Sequence, residues 1–500
     1  MINSQTHRRR PSILPTTLSA FLWAALAVGG VLLGAHGVQA AEVAAEAAHA
    51  GVPHLDGRLL SAAWVVPFAG ILLSIALFPL LAPMVWHHHF GKISAVWALA
   101  FLVPFAATFG VDLATYELLH TVLLEYIPFI VLLTALFTVA GGVRLTGSLV
   151  GTPMANTVGL ALGTVLASLM GTTGASMLLI RPLLRANEHR RHKVHTVVFF
   201  IFLVSNVGGS LTPLGDPPLF LGFLKGVDFF WPTVHLLAPM AFLSALLLVI
   251  YFVLDLVLHT RDPGKHPLIE GVHEREPIRI EGSVNLLLLV AIVGAVLLSG
   301  IWHPGTGVTL YHVTVSLETI VSNLLLLGIT GLSLALTSKQ SRRLNGFNWG
   351  PILEVAKLFA AIFLTIIPAI AILKAGTDGA LGAIISAVNE GGKPNPAAYF
   401  WATGILSSFL DNAPTYLIFF NTAGGDAKVL MTDLSLTLTA ISAGAVFMGA
   451  NSYIGNAPNF MVKAIAEERG VAMPSFFGYM AWSFGILVPL LGLTTLVFFL

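Results

Sequence analysis

The chain has 500 residues, of which 56% are hydrophobic and only 10% charged, and its formal net charge is +1 at pH 7. That balance leaves no footing for a nucleic-acid surface, and the absence of cysteine excludes disulfides, thiolate metal sites and cysteine nucleophiles. Several apolar runs of about twenty residues, enough to cross a ~30 Å hydrocarbon core, place the chain in a bilayer as an all-α polytopic membrane protein.

Residues 1–40 have the pattern of a secretory signal peptide: basic Arg8, Arg9 and Arg10, an apolar run from Leu18 to Leu33, and Val38-Gln39-Ala40 before a cleavage point at Ala41. An uncleaved anchor helix is the alternative. Either reading puts the mature N terminus in the periplasm of a bacterial-type inner membrane, with 41–61 as a lead-in. Spans are expected at 62–84, 94–110 and 121–141, then a hairpin at 157–187, a long broken segment at 196–225 and a span at 233–258. A charged cytoplasmic linker at 259–283, holding Glu270, Glu274 and Glu276 among basic residues, follows. The order then repeats: 284–302, 319–337 and 351–373, a hairpin at 397–424, a broken segment at 430–463 and a span at 476–498. The repeats are thus 62–258 and 284–500.

Basic residues support this arrangement. Lys92, Arg144, Arg185, Arg190, Arg191, Lys193, Arg261, Lys339, Arg342, Arg343, Lys463 and Arg469 fall in inner segments, while 111–120 and 303–318, the expected outer loops, contain no Lys or Arg. Lys225, Lys374, Lys393 and Lys428 fall outside. Two crossings need roughly 40 apolar residues, so both hairpins are too short to cross twice and read as re-entrant. Segment 196–225 as one helix would run about 45 Å, more than the ~30 Å core, so it must break. Five crossings per half is an odd number, so the second repeat lies inverted.

The breaks carry the polar chemistry. Leu214-Gly215-Asp216-Pro217-Pro218-Leu219-Phe220 and Ile454-Gly455-Asn456-Ala457-Pro458-Asn459-Phe460 align at a constant offset, which also pairs Gly209 with Gly449 and Thr212 with Ser452. A Gly/Pro break frees backbone groups that hydrocarbon cannot satisfy, so it must line a site enclosed by protein, and two such breaks point to a secondary transporter. The hairpin tips match more weakly, Thr173-Gly174-Ala175-Ser176 against Asp411-Asn412-Ala413-Pro414. The candidate ion- or substrate-binding residues are Ser205, Asn206, Thr212, Asp216, Asp411, Asn412, Asn451, Ser452 and Asn456, with Thr415 beside them. Amide and hydroxyl oxygens with unwound carbonyls suit Na⁺, whereas half-helix N-termini suit an anion. Asp216 and Asp411 are functional candidates by depth alone, or caps of half-helices; the two roles are compatible. An Asp that takes either a proton or Na⁺ couples the two, and two carboxylates are poor company for a polyanion. No cofactor is called for.

Other ionisable groups read differently. Glu125 serves a proton path or sits at the outer interface. Glu354 and Lys357 make a local ion pair, and Lys374 snorkels outward. His87-His88-His89 and the run His189 to His195 are loop segments rather than metal ligands.

At these motifs the chain resembles the ion-transporter superfamily. Ser205-Asn206-Val207-Gly208-Gly209 leading to Thr212-Pro213-Leu214-Gly215-Asp216-Pro217-Pro218 resembles the helix break of arsenite and citrate-type carriers. Leu410-Asp411-Asn412-Ala413-Pro414 is similar to the hairpin tip of NhaD-type sodium/proton antiporters. The chain is identified as a member of the citrate-transporter branch, over roughly 60–498. The resemblance implies a scaffold domain and a mobile transport domain of hairpins and broken helices, moving elevator-fashion in a homodimer surrounded by lipid. It departs at Gly449-Ala450-Asn451-Ser452 and Thr172-Thr173-Gly174-Ala175-Ser176, where the Ser-Asn-Thr triplet of dicarboxylate carriers is missing. The leading expectation is therefore a sodium/proton antiporter, whose partners are Na⁺ and H⁺. The alternative is a citrate or dicarboxylate carrier coupled to cations, weakened because Arg181 is the nearest basic residue. An intramembrane aspartyl enzyme is a remote third reading, and no enzymatic activity is expected.

Overall fold

Inside hydrocarbon a single segment satisfies its own backbone only as a helix. The computed structural model describes Pro53, residues 55–147 and 150–261, Pro277 and residues 279–500. These residues are mostly helical, with three two-stranded antiparallel ribbons. The expected signal segment 1–40 and most of the linker, with its three glutamates, lie outside the described residues.

Among the described residues nine helices are long and apolar enough to cross a membrane. A tenth arises if Gly350–Thr365 and Ile367–Lys374, bent by 40°, form one span. Pro368 opens the second piece of that pair and removes a backbone donor at the bend. Trp231–Arg261, Val284–Ile301, Leu317–Leu336 and Phe476–Phe498 lie where hydropathy puts them.

Two spans are longer than expected. Pro83–Phe109 takes in His87, His88 and His89, so these are helical and not a loop; His88 Nδ1 lies 2.8 Å from the Met84 carbonyl one turn earlier. Among the described residues no group of His, Cys, Asp or Glu could hold a metal. Val111–Ala140 likewise absorbs 111–120, the expected outer loop, into the helix. A π-turn at Val122–Tyr126 holds the extra residue, and Glu125 on it pairs with Lys225 at 2.5 Å. Glu354 and Lys357 do not form the expected local pair; the Lys357 ammonium lies over the Phe90 ring, 5.3 Å from its centre.

The two broken segments form the centre. In Val194–Leu211, 89% of the membrane-length window is buried, against 28% for Trp231–Arg261 and Val284–Ile301, which are much less enclosed by protein. In Ser435–Met448 every residue from Thr437 to Met448 is buried. Against it packs Pro396–Phe409, the first arm of the second hairpin. Contact there is close enough that a Cβ on Gly404 would sit 1.9 Å from Met448 Sδ, and one on Gly444 2.5 Å from the Phe400 carbonyl. Small residues let the two backbones meet, as membrane helices need when no hydrophobic effect drives them together.

Two arginines placed in inner loops by the sequence are in fact buried. Arg342 donates to the Thr138 carbonyl at 2.7 Å and to the Ser333 carbonyl at 2.8 Å, capping the last turns of two helices at once. Arg190 pairs with Asp255 through both nitrogens, at 2.5 and 3.0 Å. His195 reaches the same carboxylate at 2.7 Å, Asn156 donates to it at 3.2 Å, and Asn187 exchanges amide hydrogen bonds with Asn156. This network joins the base of the first hairpin to Val194–Leu203 and Trp231–Arg261. The pair is 2% and 0% exposed, so removing one charge strands the other. Asp255→Asn is expected to cost about 3–5 kcal/mol, read as a lower thermal unfolding midpoint in detergent. An unchanged midpoint would show that the pair adds nothing to stability.

Candidate functional site

Both broken segments stop being helical in the same way. Val194–Leu203 gives way to a tight turn at Val207–Leu211, an extended Thr212 (φ −143°, ψ 160°) and a new helix from Pro217. Ser435–Met448 gives way to a tight turn at Gly449–Asn451, an extended Ser452 (φ −140°, ψ 170°) and a new helix from Ala457. Pro217 and Pro458 stand in the first turns, where a missing N–H costs nothing. Gly215 and Gly455 have to be glycine because the chain folds back on itself there. A Cβ on Gly215 would meet the Gly209 carbonyl at 2.2 Å, and one on Gly455 the Gly449 carbonyl at 2.5 Å.

Thr212 and Ser452, expected to line a site, instead splice each break to its hairpin. Thr212 Oγ1 donates to the Ser168 carbonyl at 2.5 Å and accepts from Leu214 N at 3.2 Å. Ser452 Oγ donates to the Ser408 carbonyl at 2.5 Å and accepts from Ile454 N at 3.2 Å. Ser168 and Ser408 return the bond, to the carbonyls of Gly208 and Met448. The offset that relates these bonds sets Thr172 against Asn412, two residues away from the expected matching of Thr173 with Asp411.

That register explains what meets at the centre. Thr172 and Asn412, one from each hairpin tip, both donate to the Asp216 carboxylate. Thr172 Oγ1 reaches Oδ1 at 2.9 Å, and Asn412 Nδ2 donates to Oδ2. Asn456 of the second break adds a third donor to Oδ1 at 3.1 Å. The same amide reaches the Ser205 carbonyl at 3.2 Å and Asn206 Oδ1 at 3.3 Å. Asn206 Nδ2 donates to Asn459 Oδ1 at 2.7 Å, and Asn459 in turn holds the carbonyls of Gly449 and Ser452. Ser205 meets Ser176 of the first hairpin, hydroxyl to hydroxyl, at 2.9 Å.

Asp216, Asn412, Asn456, Asn206 and Ser205 thus form one network, and each is buried. Asp216 does not cap its own half-helix, whereas Asp411 does cap, accepting from Ala413 N at 3.0 Å. Asp411 stays partly exposed at its hairpin tip. Thr415 bonds back within its own helix to the Asp411 carbonyl at 2.9 Å. Asn451 donates to Ser408 Oγ at 3.0 Å, outside the Asp216 network. Sequence reasoning passed over Thr172, Ser176 and Asn459. Asn459 stands inside the second break motif, and its amide was the available signal; a hydroxyl such as Thr172 carries none until the hairpin register is known.

Two oxygens are unanswered. Asn412 Oδ1 and Asn451 Oδ1 are buried and have no hydrogen-bond partner in the protein. Among the described residues no Lys, Arg or His hydrogen-bonds to the Asp216 network. Arg181 packs instead against Gly346. A centre of carboxylates, amide oxygens and carbonyls with no cationic side chain suits a hard cation, which prefers oxygen ligands.

Residues 57–499 match the model of a family described as putative citrate transport. No curated protein matches the chain. The glycine geometry of the breaks gives a direct check. Gly215→Ala is expected to abolish recovery of folded, monodisperse protein in size-exclusion chromatography. Gly294→Ala, where an added Cβ meets nothing within 4 Å, should leave it unchanged.

Proposed function

The chain belongs to the family described as putative citrate transport, and from that premise we propose that this multi-pass membrane secondary transporter exchanges Na⁺ for protons by elevator-type alternating access. The observation that carries the reading is the charge balance of the centre. Asp216 brings a buried carboxylate, Asp411 a second one at its hairpin tip and Asn412 an unpartnered amide oxygen, and among the described residues no Lys, Arg or His hydrogen-bonds to them. A buried carboxylate without a protein counter-charge calls for a mobile one, either a cation or a proton. The two compete for the same oxygens, and competition is what couples them.

Asp216 would also link binding to movement. It is 1% exposed and held by both hairpin tips, so the site is closed to bulk on both sides until a tip leaves. Occupation of its oxygens by a proton or a cation changes what Thr172 and Asn412 can donate to. The tips then loosen or tighten with occupancy, and the loaded hairpins carry the ion between faces. An aspartyl-protease reading requires two carboxylates sharing one proton. Here Asp411 accepts from the Ala413 backbone and Asp216 from three other donors, which does not favour it.

The family description favours a second reading, a citrate carrier with the cation as coupling ion. With no basic side chain hydrogen-bonded to the centre among the described residues, the carboxylate substrate would then rest against the bound cation. Purified protein in liposomes separates the two. The antiporter reading expects Na⁺-dependent dissipation of an imposed pH gradient, slowed by Asp216→Asn or Asp411→Asn by roughly tenfold or more, the scale of one lost charge-assisted contact. Uptake of labelled citrate with no Na⁺/H⁺ exchange would establish the carrier instead.

A further inference from the structure

The half-helix Pro217–Leu224 has a charge at each end. Asp216 precedes its first turn and Lys225 follows its last, with a rod of about 12 Å between them. A rod that short moves as one piece, so whatever holds Lys225 also holds Asp216. Asp216 belongs to the centre. Lys225, at the far end, meets Glu125 at 2.5 Å.

The two partners of that ion pair belong to different groups of helices. Pro217–Leu224 packs on Asn412–Thr422, the second arm of the second hairpin, and on Ser435–Met448. Gly222 leaves no room for a Cβ against the Tyr416 hydroxyl, so half-helix and hairpin fit closely. Glu125 sits on the π-turn Val122–Tyr126, and the helix beyond it, Ile127–Ala140, packs on Val284–Ile301 and Leu317–Leu336. Tyr126 beside it donates to the Ala356 carbonyl at 2.9 Å, fixing the turn to Gly350–Thr365. One turn beyond Glu125 the two groups touch through stacked rings, Phe129 and Phe220, with centres 6.3 Å apart. Apolar contact is non-directional, whereas an ion pair at hydrogen-bonding distance fixes one register.

The pair is also able to open. Its side chains are 25% and 12% exposed, against 2% and 0% for Arg190–Asp255. Ion pairs that water reaches bind weakly. Each partner has a second one in electrostatic reach: Lys374, at the end of Ile367–Lys374, for Glu125, and Glu117, about two turns earlier on the span, for Lys225. Separation therefore leaves neither charge unanswered. We propose that Glu125–Lys225 is a releasable latch. Closed, it ties the half-helix of Asp216 to Val111–Ala140 in this conformation; it parts whenever the hairpins and breaks move as a body. Release of Asp216 from the hairpin tips and release of Lys225 from Glu125 are then two ends of one displacement. The latch rests on the alternating-access reading above, not on which solute is carried.

The chain has no cysteine, so Glu125→Cys/Lys225→Cys carries the only two thiols. In proteoliposomes a bifunctional methanethiosulfonate reagent bridges them over the span of the two lost side chains, and intact mass confirms the bridge. Bridging is expected to slow flux by roughly tenfold or more, with recovery in dithiothreitol, while either single cysteine variant runs on after the same treatment. Bridged protein with undiminished flux overturns the latch. Glu125→Gln removes the attraction without a bridge. Its maximal rate is expected to rise by up to roughly fivefold, the scale of a partly exposed pair, with the half-saturating solute concentration unchanged. The swap Glu125→Lys/Lys225→Glu should return the rate toward native. A maximal rate no higher than native in Glu125→Gln overturns the latch. The flux read is Na⁺-dependent proton exchange or, where that is absent, uptake of labelled citrate. If only citrate uptake is present and bridging arrests it, the antiporter reading fails and the latch stands; Na⁺/H⁺ exchange that continues through bridged protein is the reverse.

Discussion

A carboxylate at bilayer depth has to be answered from every side, and Asp216 is answered by three chain segments far apart in sequence. One hydroxyl and two amides converge on it, from the first hairpin, the second hairpin and the second break. The rest of the centre follows from that demand. Glycines at the breaks bring the backbone close enough, prolines restart the helices, and a threonine or serine at each break locks it to its hairpin. The surrounding spans contribute little to this chemistry. Around it, Arg342 holds carbonyls in the last turns of two helices that would otherwise be unpaired, and Arg190 pairs with the Asp255 side chain to tie the first hairpin to its neighbours.

Among the described residues the Asp216 network holds an acid and amides but no base, and cost explains why. A fixed cation beside Asp216 would neutralise it permanently, and an ion pair buried with good geometry is hard to break. The pairs at Arg190–Asp255 and Glu125–Lys225 show that the chain does form such bonds, away from the hairpin tips. At the tips the donors to Asp216 are neutral, Thr172 and Asn412, so no fixed charge is paired with it there.

Much of the architecture is legible in the residues. The broken segments declare themselves by excess length and by Gly and Pro at mid-depth, and the asparagines around them announce a polar centre. The limits of the long helices are not legible in the same way. His87 to His89 and the stretch 111–120 are polar enough to look like loops, but a helix can continue past the hydrocarbon boundary once its ends meet water. The Arg190–Asp255 pair is hidden for another reason: its partners stand 65 residues apart, and a lone Asp in a long apolar run does not reveal which cation it faces. The hairpin register was missed by two residues because Gly, Ala, Ser and Thr repeat too often there for one alignment to stand out. Only the splice bonds from Ser168 and Ser408 decide it.

Those splice bonds also say something about how the molecule comes together. Thr212 and Ser168 are 44 residues apart, as are Ser452 and Ser408, so each hairpin can close onto its own break within its own half of the chain. The bonds that assemble the centre span far more, 196 residues from Asn412 to Asp216 and 240 from Asn456 to Asp216. Contacts that close long loops form late, because the chain must be ordered before they can reward it. Each half can therefore complete its own splices independently, leaving the polar groups of the centre facing toward the other half. The Asp216 network comes into being only at the seam where they join, so a chain whose halves fail to meet has spans, hairpins and breaks but leaves that carboxylate unanswered.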